Sequence, residues 1–249
     1  MIKNLQKDHY ELIHDEYLAH YYDPTSMEYR HKFLYKYLFK DIDLNNKKVA
    51  DLACGSGYNS LSLLEYFPKA QVSGFDISNK ACEDYKKILN RPSYEVDLTK
   101  NMSFKKEYDF VMIIGGLHHC VSDLDATFEN IYSLLKPNGT LLMFEPNKKY
   151  FLEPVRKYWY KKDKYFEENT EAALDHKMLI SKYFNKFDSK TVYYLGGPAY
   201  FLIYNSLLFR FPTKYKKLIS PILMKLEQLY NILPGKCLFP YFIASWTKK

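Results

Sequence analysis

The stretch VADLACGSGYNS, residues 49–60, decides the fold. A short apolar run carrying one acid, Asp51, leads into three small residues at alternate positions, Ala53, Gly55 and Gly57. A strand that meets a Gly-rich turn and then a helix start is an anion- or nucleotide-binding device. Glycine permits the tight turn and the close approach of backbone to ligand, and the helix offers its free N–H groups. A dinucleotide fingerprint requires glycines at all three marked positions of G-x-G-x-x-G. Here those positions hold Ala53, Gly55 and Tyr58, and a tyrosine in third place opposes the close helix–strand packing that the glycine serves. The spacing is instead [A/G]-x-G-x-G, with an acid two residues before the first small one.

Working outward, strand and helix patterns alternate. KKVADLA, QVSGFD, SYEVD, DFVMIIGG and TLLMFEP read as strands, and the segments between them as helices. Two helix starts carry capping signatures, Thr25 with Glu28 and Ser122 with Asp125. Residues 9–40 read as helical before the first strand. After Pro146 come a basic aromatic segment, a helix over TEAALDHKMLISKYF, a strand at KTVYYLGG, apolar helices over 198–236 broken at Pro212, Pro221 and Pro234, and a last strand at FPYFIASW. Near-continuous apolar strands alternating with helices argue for a parallel, doubly wound α/β sheet.

VADLACGSG resembles the first motif of the class I S-adenosylmethionine-dependent methyltransferases. VSGFDIS, YEVDLT, YDFVMIIGGLHHC and LLKPNGTLLMFEPN resemble the motifs that follow in that family, in the same order, from about residue 47 to 147. The resemblance implies a Rossmann-like, mostly parallel seven-stranded sheet with an N-terminal helical lid (residues 1–44). The methyltransferase domain would run over 45–249, with a helical C-terminal insertion on the acceptor side over 148–236. It implies S-adenosylmethionine as cofactor, with Ala53, Gly55 and neighbouring backbone at its methionine part and Asp51 orienting that loop or facing the amino group. Asp76, 19 residues after Gly57, would accept from both ribose hydroxyls with Ile77 beside it. Asp97 and Leu98 would meet adenine, and Ile114 and Gly115 would line the sulfonium end. On the lid, Tyr22 and Arg30 are the candidates for the carboxylate end, with surface or packing roles as the alternative. Ala53 stands where glycine is commoner, which matters only if that residue needs a positive φ.

Methyl transfer from a sulfonium is an in-line displacement from an already activated donor. The protein aligns the reactants and excludes water, and a hydroxyl acceptor gains from a base. His118 and His119 follow the fourth strand at the edge where open α/β sheets bind ligands, and imidazole is apt as a base. In extended chain the two would point opposite ways, so one is expected to act and the other to pack or cap. Glu145 ends the next strand and is a candidate for acceptor binding or for anchoring the turn. No [DN]PP[YF] follows the fourth strand, and no Pro-Cys or Asp-Asn pair suggests a cytosine-type nucleophile or a catechol-type metal site. A small-molecule acceptor, methylated without metal, is expected.

Formal net charge is +7, and it sits at one end. Residues 1–150 carry 19 Lys/Arg and 21 Asp/Glu; residues 151–249 carry 17 and 8. Lys157, Lys161, Lys162 and Lys164 interleave with Tyr158, Trp159, Tyr160 and Tyr165, and Lys214, Lys216 and Lys217 follow. Three readings stand: a pocket for a phosphorylated or nucleotide-linked sugar, as of a surface-polysaccharide pathway, with Tyr158 on the acceptor; an interfacial surface that docks on anionic lipid and takes a lipid, quinone or natural-product acceptor; and a solvated basic face over a hydrophobic packing cap. Nucleic acid is disfavoured, since no RNA-binding motif appears. A non-catalytic cofactor-binding subunit is the rival of a different class. The four cysteines have no paired or zinc-like spacing, the start has no apolar leader, and the longest apolar stretch, AYFLIYNSLLF, is too short to span a bilayer. A cytoplasmic protein with reduced thiols is expected.

Overall fold

A computed structural model describes residues 18–104, 107–160, 171–207 and 211–249. Seven strands form one sheet: β1 Lys48–Leu52, β2 Gln71–Asp76, β3 Ser93–Glu95, β4 Tyr108–Ile114, β5 Leu135–Pro146, β6 Phe187–Leu195 and β7 Tyr241–Lys248. Their order is β3-β2-β1-β4-β5-β7-β6. Pairing is parallel from β3 to β5, and β7 runs antiparallel to both β5 and β6. The mostly parallel sheet expected from the strand–helix alternation is therefore present, with one reversed strand. The order reverses between β1 and β4, which opens a crevice at the carboxyl ends of the strands.

Successive strand residues point to opposite faces, and both faces are buried. Val49, Met112, Leu142, Phe144 and Ile243 join one core. Ala50, Leu52, Val111, Ile113, Leu141, Met143 and Ala244 join the other. The first core is covered by the N-terminal helix α1, Pro24–Arg30, which continues through a π-helical turn, His31–Tyr35, into Lys36–Leu38. Tyr29, Phe33, Leu34, Tyr35 and Leu38 supply its buried face. Of the helical span expected over 9–40, residues 9–17 lie outside the described residues.

The remaining helices are α2 Tyr58–Tyr66, α3 Asn79–Leu89, α4 Leu124–Leu134, α5 Glu153–Tyr160, α6 His176–Lys182 and α7 Thr213–Tyr230. Both expected caps move. Asp23, not Thr25, caps α1, accepting from the N–H groups of Thr25 and Ser26 ahead of Pro24. Glu28 instead pairs with Lys32 at 2.6 Å. Asp123, not Ser122, caps α4, accepting from Ala126 N–H at 2.9 Å. Asp125 turns to Lys182 and Tyr183.

The helix expected over 170–184 shrinks to α6. Leu174 bridges to Asn147, with its N–H on Pro146 O at 2.9 Å, which holds that segment extended beside β5. The break expected at Pro221 is absent, because α7 runs through it. Pro221 has no N–H to give the Lys217 carbonyl, and Ser220 Oγ donates to that oxygen instead at 3.3 Å. The 148–236 stretch is not purely helical, since β6 lies within it.

Candidate active site

The turn after β1 is built on left-handed backbone. Ala53, Gly55 and Gly57 have φ of 51°, 53° and 91°. A positive φ is therefore needed at position 53, and alanine bears the strain that glycine would not. At Gly57 a Cβ would lie 2.6 Å from Leu89 Cδ1 and 2.7 Å from the Tyr85 ring, so this glycine lets the start of α2 press against α3.

Two acids brace the turn. Asp76, at the tip of β2, accepts from Gly55 N–H at 2.9 Å and from Ser78 N–H at 2.9 Å. Burial raises its pKa, against the backbone bonds from Ser78, Gly55 and Ile77. Asp51 is fully buried on β1. Its Oδ2 accepts from Ser60 Oγ at 2.7 Å, and Tyr85 OH donates to Ser60 in turn at 2.9 Å. Its Oδ1 is buried with no hydrogen-bond partner. Burial pushes Asp51 up to about 7, with Ser60 opposing and Asp76 adding to the rise. A buried carboxylate oxygen without a donor is costly. A cationic amino group bound in the crevice would satisfy it, so the residues present fit the ammonium of the expected donor.

Beyond β2, the Asp97 carboxylate is turned into its own loop. Thr99 donates through N–H at 3.0 Å and through Oγ1 at 2.6 Å, and Lys100 Nζ lies 2.8 Å away. Burial opposes its charge, but Lys100 and Thr99 outweigh that and hold its pKa below the usual range. Asn130 of α4 shapes the same loop, donating to Leu98 O at 2.9 Å and Lys100 O at 2.7 Å. Its position 32 residues from Leu98 gave it no sequence signal.

At the end of β4 the chain leaves Ile114, takes a positive φ at Gly115 (67°) and makes a 3-10 turn, Leu117–His119. The two histidines therefore do not sit on extended backbone as expected. Their rings lie side by side, centroids 4.0 Å apart. Glu145, fully buried at the end of β5, holds the turn. It accepts from the N–H groups of Gly116, Leu117 and His118 at 3.1, 2.8 and 3.2 Å, and lies 2.8 Å from His118 Nδ1. Burial lifts Glu145 to about 8, against those three backbone N–H bonds. Burial, then the His119 charge, keeps His118 well below the ordinary imidazole value. For His119 burial acts in the same direction, but Glu171, Glu145 and Asp76 outweigh it and raise its pKa.

Glu171 was not legible in the sequence. Its Oε1 lies 3.4 Å from His119 Nδ1, and Ala172 N–H donates to His118 O at 3.2 Å. Among the described residues, His118, His119 and Glu171 place three ligand atoms within 4.8 Å of one another. Two imidazoles and a carboxylate are a donor set that suits zinc.

The lid reaches the same crevice. Arg30 is 1% exposed, donates from Nη1 to Asn59 Oδ1 at 3.0 Å and from Nε to Tyr21 O at 3.2 Å, and stacks over the Tyr22 ring at 4.4 Å. Tyr22 stacks in turn on Tyr58, centroids 4.5 Å apart. Both lid candidates thus meet the start of α2, next to the glycine turn. Two acceptor-side candidates do not converge. Tyr158 is 61% exposed on α5, and Glu145 has its oxygens turned to the backbone and to His118 rather than outward. Lys216, expected in a basic cluster, is fully buried and paired with Asp23 at 2.5 Å. Lys161, Lys162, Lys164 and Tyr165 lie outside the described residues, as do the side chains of Trp159 and Tyr160.

Among the described residues Cys54, Cys82, Cys120 and Cys237 are all free thiols. No helix of the described residues is long and apolar enough to cross a membrane.

Residues 49–139 match a family model described as a methyltransferase domain. The malonyl-[acyl-carrier protein] O-methyltransferase of Priestia megaterium is 31% identical over 101 residues, 39% of this chain and 36% of that protein. The demethylmenaquinone methyltransferase of Thermotoga maritima is 27% identical over 124 residues, covering 48% and 54%. This chain thus spans about a third to a half of the curated relatives it matches. In fold, a Thermotoga maritima structure described as an S-adenosylmethionine-dependent methyltransferase, possibly acting on histamine, superposes with TM-score 0.64. It covers 98% of this chain and 99% of that one at 16% identity. With the braced glycine turn, the unpartnered Asp51 oxygen and the β2-tip acid at one crevice, residues 49–139 are a class I S-adenosylmethionine-dependent methyltransferase domain.

Proposed function

We propose that this chain transfers a methyl group to a hydroxyl of a small acceptor. The observation that carries the reading is the meeting of Asp51, Asp76 and the His118–Glu145 pair at the carboxyl edge of one sheet. S-adenosylmethionine supplies an activated methyl on a sulfonium. Everything else falls to the chain. Asp51 and the Arg30 lid region flank the end that holds the donor's amino acid part. Asp76 offers remaining lone pairs to a vicinal diol, and Leu98 packs by the Asp97 loop at the adenine end. Ile114 and Gly115 line the reacting end.

Glu145 acts as a positioning residue. When ionised it accepts from His118 Nδ1–H, which fixes the ring and leaves Nε2 to take the acceptor's proton, so base activity requires Glu145 to have lost its own proton. His119 is held by Glu171 and supports that ring at its side. Residues 1–44 act as lid and 148–236 as acceptor side within the 45–249 domain. The first acceptors to screen are anionic, nucleotide-linked sugars, followed by the hydroxyls of quinols and lipids.

The test is a mass-spectrometric acceptor screen with the isolated chain, run with and without a chelator. Turnover by the wild type, unaffected by chelation and reduced about 10²–10⁴-fold in His118→Ala, is expected of a positioned base. Turnover unchanged in both His118→Ala and His119→Ala removes the base. Loss of turnover on chelation transfers the role of the histidines to a bound ion. No turnover with any acceptor, despite donor binding, favours the non-catalytic subunit.

A further inference from the structure

Helix α7 buries a mixed face, with Met224 in the core and Ile219 and Leu223 packed against it beside polar groups. It buries Lys216, Ser220 and Glu227 at 0%, 5% and 0% exposure, while Leu218, Ile222 and Leu229 stand 76%, 67% and 65% exposed. The buried polar stripe explains why the helix cannot roll over. Lys216 Nζ donates to His20 O, Asp23 Oδ2 and Ser26 Oγ at 2.6, 2.5 and 2.7 Å. Glu227 accepts from Tyr29 OH at 2.6 Å and from the N–H groups of Gly197 and Ala199 at 2.9 Å each. Rotating the leucines inward would strand a lysine and a carboxylate.

The outward face has its own pattern. Leu218, Ile222, Leu226 and Leu229 recur three and four residues apart, so they share one face, and exposed Ile232 and Leu233 extend it past the helix end. Lys214, Lys217, Lys225 and Gln228 form the adjacent row. The helix has one acid, Glu227, and it is buried, so its exposed surface carries lysines and no carboxylate. A second exposed patch adjoins it. Phe151, Leu152 and Val155, with Lys148, Lys149 and Lys157 among them, are tied to the segment after α7 by Phe151 N–H on Cys237 O at 2.8 Å.

From this face we infer a docking surface for an anionic lipid bilayer, with the side chains of α7 and Phe151–Val155 seated at the headgroup boundary. An exposed aliphatic stripe edged by lysines is the pattern of an interfacial helix. Lysine is depleted at protein–protein contacts, so the charge row distinguishes a bilayer from a second protein. α5 follows the carboxyl end of β5, the edge that carries Glu145 and the histidine turn. A docked chain would therefore draw a membrane-borne hydroxyl acceptor, a step that rests on the methyl-transfer reading, whereas docking itself does not.

The experiment is co-sedimentation of the full chain with phosphatidylcholine vesicles, with and without phosphatidylglycerol, in the absence of donor. Binding to the anionic vesicles that weakens with salt is expected. Leu218→Gln/Ile222→Gln/Ile232→Gln should lose it at least tenfold. Lys214→Gln/Lys217→Gln/Lys225→Gln should weaken it about fivefold per lysine. Every substituted side chain is exposed, and melting curves check that the variants fold. No binding by the wild type, or full binding by the leucine–isoleucine variant, overturns the inference. So does a dimer in sedimentation equilibrium that the same variant disperses, which would make the face a contact between copies. Vesicle binding with no methyl transfer on any acceptor would overturn the catalytic reading and leave the surface standing.

Discussion

Asp51 shows how a single residue ties stability to ligand. Its carboxyl sits at about 7 in the folded chain against 3.8 in the open one. The fold therefore holds a proton between roughly pH 4 and 7 that the unfolded chain has released. Stability of the ligand-free protein falls as pH climbs through that window, by on the order of a few kcal/mol. A cationic amino group beside Oδ1 favours the charged form and offsets the fall. The wild-type melting temperature should drop more between pH 5 and 8 than that of Asp51→Asn, and the donor's stabilising effect should grow with pH in the wild type alone. Parallel profiles for the two proteins, with and without donor, would remove Asp51 from the donor's amino end. Position 51 was legible because an acid in an apolar strand is rare without a purpose. The left-handed φ of Ala53 was not, since alanine says nothing of its own backbone.

At the scale of elements, α1 and α7 are locked together by charge inside the protein. Asp23 caps α1 and pairs with the buried Lys216 of α7. Asp23→Ala removes a cap and leaves an uncompensated ammonium, and should cost about 3–5 kcal/mol in denaturant unfolding. Lys216→Met, which removes the charge together with its need for a partner, should cost less. Equal losses would place the pair outside the linkage between the helices. The strands β1, β2, β4 and β5 could be read because their apolar runs, largely buried on both faces, leave little ambiguity; the edge strand β3, Ser93–Glu95, has two exposed residues and owes its reading to its place in the alternation. Helix limits could not, because they depended on competition. Asp23 and Asp123 outbid Thr25 and Ser122 as caps, the Leu174–Asn147 bridge held residues out of α6, and Ser220 made Pro221 tolerable within α7.

Across the whole molecule, the nearly neutral first 150 residues hold the crevice, and the basic remainder builds β6, β7 and an outward-facing aliphatic helix. Asp51, Asp76, Gly55 and the histidine pair were legible because the chemistry of that crevice imposes short, ordered spacings. Glu171, Asn130 and the outward aliphatic face of α7 depend on contacts between distant segments, which no local pattern records. The central claim is that the crevice between β1 and β4 holds an adenosyl sulfonium donor, with Asp76 on its ribose. Isothermal calorimetry of S-adenosylmethionine with the wild type and Asp76→Ala tests it most directly. One donor per chain, bound about 10- to 150-fold more weakly by the variant for the loss of charge-assisted hydrogen bonds, is the predicted result. Equal affinity in both proteins, or no donor heat where a nicotinamide dinucleotide binds, would contradict it.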